Sequence, residues 1–173
     1  LLAGEGADIL DIGGESTRPG AIPVTTDEEI RRVLPVIEGL RRVTDVPISI
    51  DTRKAAVADL ALRAGADIVN DVSALRYDAE MAGVAVLHDV PVILMHAQGT
   101  PETMQDAPVY ADVLREVRDF LEERLLFARA RGITRLLIDP GIGFGKRYED
   151  NLALLRELHS FLDLGVPLVV GTS

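Results

Sequence analysis

Short apolar runs recur along this chain at helix-sized intervals, and most of them stop at a polar residue. That recurrence constrains the fold more than any other feature. The runs are 7–12, 46–51, 66–71, 90–95, 136–139 and 166–171. Apolar runs of this length, bounded by Gly and Pro, read as fully buried strands. Helical patterns separate them. The first covers 26–40, opened by a capping box of Thr26 and Glu29. Pro35 inside it predicts a kink or a later start. The others cover 53–64 with Gly65 as C-cap, 78–88, 109–131 ending at Gly132, and 148–164 ending at Gly165. Strands apolar on both faces, alternating with helices, form parallel sheets covered by helices.

Two architectures satisfy that pattern, a doubly wound open sheet and a barrel. The polar groups at the strand ends separate them. Asp11, Asp51, Asn70 and Asp139 end different strands, and His96 follows Met95 at the end of another. A barrel points many strand ends at one centre, whereas an open sheet concentrates function at one switch point. The reading is therefore an incomplete (β/α)8 TIM barrel with about six parallel strands, forming one domain over 1–173. A full barrel takes about 250 residues. The chain starts at Leu1 and ends at Ser173 after an apolar run, so it is expected to be a fragment. Its unpaired edge strands would favour aggregation.

Charge and composition narrow the function. A net charge of -10 argues against non-specific nucleic-acid binding but leaves room for anionic small substrates held by local Arg and Lys. There is no Cys, and there are three His, so a thiolate nucleophile and a His-rich metal site are not expected. No apolar run reaches the roughly 18 residues of a membrane span. No signal peptide is visible, so a cytoplasmic protein is expected.

The run that stops at Asp139 continues as Pro140-Gly141-Ile142-Gly143-Phe144-Gly145-Lys146. It is not a P-loop, which would need Gly at Pro140 and Ser or Thr at Arg147. It is not a dinucleotide fingerprint either, because the third Gly would fall at Lys146. It reads as a ligand loop whose glycines let a flat molecule lie close to the backbone. Asp51, Asn70 and Asp139 would surround one pocket. Two carboxylates and an amide suit a flat heterocycle with amino and ring N–H donors. The same residue types also cap helices. The loop from Gly13 to Gly20 offers Ser16 and Thr17 hydroxyls and the Arg18 fork to a phosphate or carboxylate, or is simply solvated. His96 is either an acid/base or a partner of nearby backbone. Lys146 and Arg147 either contact an anion or sit near the next helix start.

Five stretches occur in order, one per strand–helix unit: Gly13–Gly20, Ser49-Ile50-Asp51-Thr52, Asn70-Asp71-Val72-Ser73, Met95-His96-Ala97-Gln98-Gly99 and Asp139–Lys146. Together they resemble the motifs of the dihydropteroate synthase family. The resemblance implies a pterin-binding TIM barrel and a transferase of folate synthesis. It would join 6-hydroxymethyl-7,8-dihydropterin diphosphate to p-aminobenzoate and release diphosphate. Asp51, Asn70 and Asp139 match the family's pterin ligands, and Thr17 and Arg18 match the loop that holds the diphosphate. Arg18, Pro19 and Phe144 match the p-aminobenzoate pocket, where sulfonamides compete, with Gly143 beside it as a substrate-binding position. Arg18, Asp51 and Asp139 are the expected catalytic residues. The resemblance also implies Mg2+ as cofactor and a homodimer in the full-length protein. The family's metal-holding Asn lies on a first strand this chain lacks. Its later Lys, Ser, Arg and His lie beyond Ser173, so the isolated piece is expected to be inactive.

A methyltetrahydrofolate corrinoid methyltransferase would share the Asp and Asn strand ends but has no need of the Ser-Thr-Arg-Pro loop or the Phe144 stretch. A non-catalytic relative would keep the fold alone. An aldolase or isomerase barrel would want Lys or Glu at a strand end, and none stands there.

Overall fold

The computed structural model describes residues 2–18, 20–99, 104 and 108–172. Five parallel strands are ordered β1-β2-β3-β4-β5: β1 Leu10–Gly13, β2 Ile48–Asp51, β3 Ile68–Asp71, β4 Val92–Met95 and β5 Leu136–Asp139. Between them run α1 Thr26–Arg41, α2 Ala55–Ala64, α3 Met81–His88 and α4 Val113–Ala130, with α5 Tyr148–Arg156 after β5. Sequential order with a helix after every strand is that of a partial (β/α)8 barrel.

The strands alternate strictly. Ile48, Ile50, Val69, Val92, Leu94 and Ile138 are buried against the helices, whose contribution includes Val33, Ile37, Val57, Leu121 and Leu125. Successive side chains of a strand point to opposite faces. The inward face therefore carries Asp11, Ser49, Asp51, Asn70 and Asp139. The sequence expectation of strands apolar on both faces holds for β4, whose residues are all buried and apolar. It fails at Asp11 in β1, Ser49 and Asp51 in β2, Asn70 in β3 and Asp139 in β5, which are inward and polar.

Several boundaries differ from the sequence expectation. The N-cap of α1 is Thr25, whose side chain accepts from Glu28 N–H at 3.3 Å. The cap thus falls one residue earlier than Thr26; Glu28 turns to Arg31 and Arg32 rather than back to it, so no capping box closes, and Glu29 turns inward, 1% exposed. Pro35 does not delay α1, which runs unbroken from Thr26 to Arg41. The carbonyl it leaves without a helical donor belongs to Arg31, and both residues are exposed, so that group is open to solvent. α4 starts at Val113 because Asp112 caps it, accepting from Arg115 N–H at 3.1 Å. The segment expected as one helix over 148–164 breaks at Glu157 and continues as a 3-10 helix, Leu158–Leu164. The expected sixth strand is a single parallel bridge, Ile138 to Leu168, with backbone bonds on both sides of it. Residues 166–171 are half-buried or exposed, so they are not framed as an interior strand.

Asp71 lies on the outward face, fully buried, and shapes the turn after β3. It accepts from Ser73 N–H, Ser73 Oγ and Leu75 N–H at 2.8, 2.6 and 2.9 Å. These bonds hold Ala74 and Leu75 in left-handed conformations, φ 51° and 62°. Arg124 Nε adds a bond to the Ala74 carbonyl.

Candidate active site at the strand ends

Register places Gly13 beside Asp51 and Asp51 beside Asn70. Adjacent strands lie about 4.8 Å apart, so these positions form one inward row. One step below, Asp11 accepts from the Ser49 hydroxyl and, at 3.3 Å, from Asn70 Nδ2. Asp51 makes no side-chain hydrogen bond among the described residues. Burial pushes its carboxyl up to about 7, reinforced by the negative charges of Asp11, Asp71 and Glu29 and opposed by Arg53.

Asp139 ends β5 in register with Met95. Gly141 N–H donates to its Oδ1 at 2.7 Å. Burial raises Asp139 to about 6, against that bond and the charge of Lys146. Asp139 lines a cleft of about 170 Å3 with Met95, Ile142, Phe144, Gly171 and Thr172. Asp51, Asn70 and Asp139 thus come to one end of one face. They do not cap the following helices, because Lys54 is the N-cap of α2 and Arg147 that of α5.

The loop after β5 is tied down along its length. Tyr110 Oη donates to the Gly145 carbonyl at 2.7 Å, and Gly143 N–H donates to Asn151 Oδ1 at 2.8 Å. Phe144 stands between the Asp139 cleft and a second one of about 320 Å3, lined among others by Arg53, Arg76, Tyr77 and Phe120. Lys146 sits just before α5, next to its N-cap Arg147, and makes no ion pair among the described residues; it is buried and bonded to the loop and to His96. His96 partners this lysine, and burial, then the Lys146 charge, holds it neutral with its pKa lowered to about 3. Arg147 does sit at the helix start and pairs with Asp150 at 2.7 Å.

The loop after β1 is anchored at its base. Glu15 accepts from Arg53 at 2.6 Å, Lys54 at 2.7 Å and Val24 N–H at 3.0 Å. Lys54 also pairs with the buried Glu29, which accepts from Thr52 Oγ1 at 2.5 Å. Burial by itself pushes Glu15 up, and the bonds from Lys54 and Arg53 more than offset it, leaving its carboxyl below the usual range. Further out, Arg18 is exposed and Thr17 half-buried, and among the described residues neither side chain bonds to the strand-end groups. Pro19 lies outside the described residues. The structure therefore brings Asp51, Asn70, Asp139, Gly143 and Phe144 to the mouth but does not bring Thr17 and Arg18 onto them.

Sequence reasoning passed over two parts of this arrangement. Asp11 was visible as a strand end but not as the partner of Asn70. The Glu15–Arg53–Lys54–Glu29 cluster joins positions up to 39 apart in the chain, so no local pattern reveals it. Among the described residues no group of three or more His, Cys, Asp or Glu could hold a metal ion.

An inward row of carboxylates and an amide next to an aromatic wall, at the strand ends of a partial barrel, is chemically suited to a flat ligand rich in N–H donors. Comparison with known proteins agrees. The family described as pterin binding enzyme matches residues 2–173, and the chain belongs to it. Dihydropteroate synthases of Synechocystis sp. and Bacillus subtilis are 49% and 47% identical to it over 97% and 98% of the chain. The chain spans 59% and 58% of their length. Among solved structures, Yersinia pestis dihydropteroate synthase in a sulfonamide complex superimposes with TM-score 0.96 at 42% identity, covering 99% of this chain and 63% of that one. The Xanthomonas albilineans enzyme with 4-aminobenzoic acid gives 0.93 at 52% identity, covering 99% and 61%.

Proposed function

We propose that this span carries most of the pterin-binding domain of a dihydropteroate synthase. The protein would condense 6-hydroxymethyl-7,8-dihydropterin diphosphate with p-aminobenzoate to give 7,8-dihydropteroate and diphosphate. The observation that carries this reading is the strand-end set of Asp51, Asn70 and Asp139, one from each of three strands. Both carboxyls are raised by burial, so ring N–H donors that bind them as carboxylates recover that cost. A solved relative of 47% identity holds 7,8-dihydropteroate, which supports the substrate class.

In this reading the pterin lies across the inward row, with Asp51 and Asp139 accepting from its donor edge. The methylene carbon–oxygen bond breaks, and the bonding pair leaves with diphosphate. The p-aminobenzoate nitrogen forms the new carbon–nitrogen bond and loses a proton. The two carboxylates favour the electron-deficient ring electrostatically. Phe144 walls the aromatic partner, with Gly143 alongside. Arg18 and Thr17, with Pro19, close over the diphosphate and the second substrate from the loop after β1. Magnesium is the cofactor in this reading; among the described residues no group of three or more His, Cys, Asp or Glu could hold it, and no step here is assigned to it. A homodimer and a cytoplasmic location complete the proposal. No helix among the described residues is long and apolar enough to cross a membrane.

The test is product formation by the full-length protein from the two substrates, followed by diphosphate release. Formation of 7,8-dihydropteroate is expected. Binding of the pterin with no product from p-aminobenzoate would point instead to the methyltransferase-type relative or a non-catalytic one.

A further inference from the structure

The loop after β5 closes on a buried cation. Lys146 is 3% exposed. Its Nζ lies 2.7 Å from the Gly141 carbonyl, 3.0 Å from that of Phe144, 3.2 Å from that of His96 and 2.9 Å from His96 Nδ1. Among the described residues no carboxylate forms an ion pair with it; Asp139 and Asp150 act only at longer range. Burying an ammonium without a counter-ion is costly unless hydrogen bonds replace its water. Here backbone carbonyls replace it.

Aiming those carbonyls at one point requires a tightly curled backbone. Gly141, Gly143 and Gly145 supply it with φ of 67°, 87° and 63°. The curl also presses on the neighbouring loop. A Cβ on Gly141 would run into the His96 carbonyl, and one on Gly145 into that of Gln98. The ends of β4 and β5 are thus joined through one ammonium. Burial lowers the Lys146 amine to about 7, with the charges of Asp139 and Asp150 opposing it; in its protonated form it can only donate, so His96 Nδ1 then accepts and the imidazole proton sits on Nε2. The ring is held edge-on to Phe120, centroids 4.8 Å apart.

We propose that Lys146 is a positioning residue for the aromatic second substrate: it fixes the turn that holds Phe144 between the two clefts and locks His96 as the Nε2–H tautomer. This rests on the synthase reading above. Phe144 depends directly on the ammonium, because its own carbonyl is one of the ligands. Asp51 and Asn70 stand on other strands and do not touch it. Losing the cation should therefore separate the two substrates.

The experiment compares the full-length wild type with K146M. The variant should raise KM for p-aminobenzoate about tenfold, a change of about 1.4 kcal/mol, with pterin affinity by calorimetry altered less than about threefold. In the wild type at about pH 5, where Lys146 is protonated and His96 is not, nitrogen chemical shifts should show His96 protonated on Nε2. This readout stands whether or not K146M folds. An equal loss for both substrates, or a fall in kcat alone, overturns the positioning role, as does an Nδ1–H tautomer. A wild type that makes no 7,8-dihydropteroate overturns the synthase reading itself.

Discussion

Asn70 Nδ2 lies 3.3 Å from Asp11 Oδ2, which settles which way the amide faces. A carboxylate only accepts, so the amide nitrogen turns toward Asp11 and leaves Oδ1 as the acceptor presented by Asn70. Asp51 and Asp139 are acceptors as well, and the row becomes uniformly suited to N–H donors.

Replacing Asp11 with Ala should free that amide. Pterin affinity in the full-length protein should fall about tenfold, the scale of one hydrogen bond to a charged group. The Asp51 carboxyl should at the same time move down toward its ordinary value, because the Asp11 charge is one of the causes that raise it. Calorimetry and carboxyl carbon shifts test the two halves. Unchanged pterin binding would remove Asp11 from the site.

Ligand binding should release protons near pH 6. Asp139 titrates near 6 and Asp51 near 7, both raised by burial, so at pH 6 both are partly protonated. N–H donors favour the ionised form and lower both values on binding. Calorimetry of pterin in buffers of different ionisation enthalpy should show net release at pH 6, shrinking by pH 8. Proton uptake would contradict the donor-edge geometry.

The same two groups set a pH dependence of stability. A carboxyl raised in the folded state binds more protons folded than unfolded between its ordinary value and its raised one. These groups therefore stabilise the fold below about pH 4, and the contribution is lost as pH rises through about 6 for Asp139 and about 7 for Asp51. Glu15 acts in the opposite sense: its stabilisation is present above its ordinary value and lost as pH falls through the lowered one. Asp51→Asn should flatten the decline in unfolding free energy between pH 5 and about 7, where each pH unit of displacement is worth about 1.4 kcal/mol. An unchanged slope in urea titrations would count against the burial of Asp51.

Much of this was legible in the sequence because burial writes itself locally. Ile48–Asp51 and Leu136–Asp139 are apolar runs with a polar stop, and the strands form there. The weaker run, 166–171, lies along β5 only by a bridge, because its residues are too exposed to be framed as an interior strand. The Thr25–Thr26 and Glu28–Glu29 doublets permit two capping registers, and only tertiary packing chooses between them. It chooses the one that sends Glu29 inward to Lys54. On a glycine-rich loop, Lys146 invites reading as an anion contact. Its real partners are carbonyls made convergent by the curl of the backbone, which residue types alone do not show.

The Glu15 cluster predicts an asymmetric response. Lys54 is shared by Glu15 and Glu29, with side-chain exposures of 11%, 9% and 1%. Lys54→Met leaves Glu29 buried without its cation and Glu15 with Arg53 alone, and should cost about 3–5 kcal/mol. Removing Glu29 and Lys54 together, as Leu and Met, should cost less than Lys54→Met alone, since the carboxylate left without a cation is then gone and Glu15 keeps Arg53. Urea denaturation of both variants decides it. Additive losses would mean the pair is not coupled.

Two glycines separate backbone strain from backbone contact. Gly165 has φ 71° with nothing near its missing side chain, while Gly141 has φ 67° and faces the His96 carbonyl. Gly165→Ala should therefore cost only the left-handed penalty, about 1–2 kcal/mol. Gly141→Ala carries the same penalty and must also push the β5 loop off the end of β4, breaking the Lys146 bonds to Gly141 and His96. It should cost at least about 2 kcal/mol more than Gly165→Ala, as overpacking in a rigid interior does. The variant should also release His96 from its Nε2–H tautomer, which ties the stability loss to the loop contact. Equal losses at the two glycines, measured by denaturant midpoint in the full-length protein, would show that the close approach of the two loops is not maintained in solution.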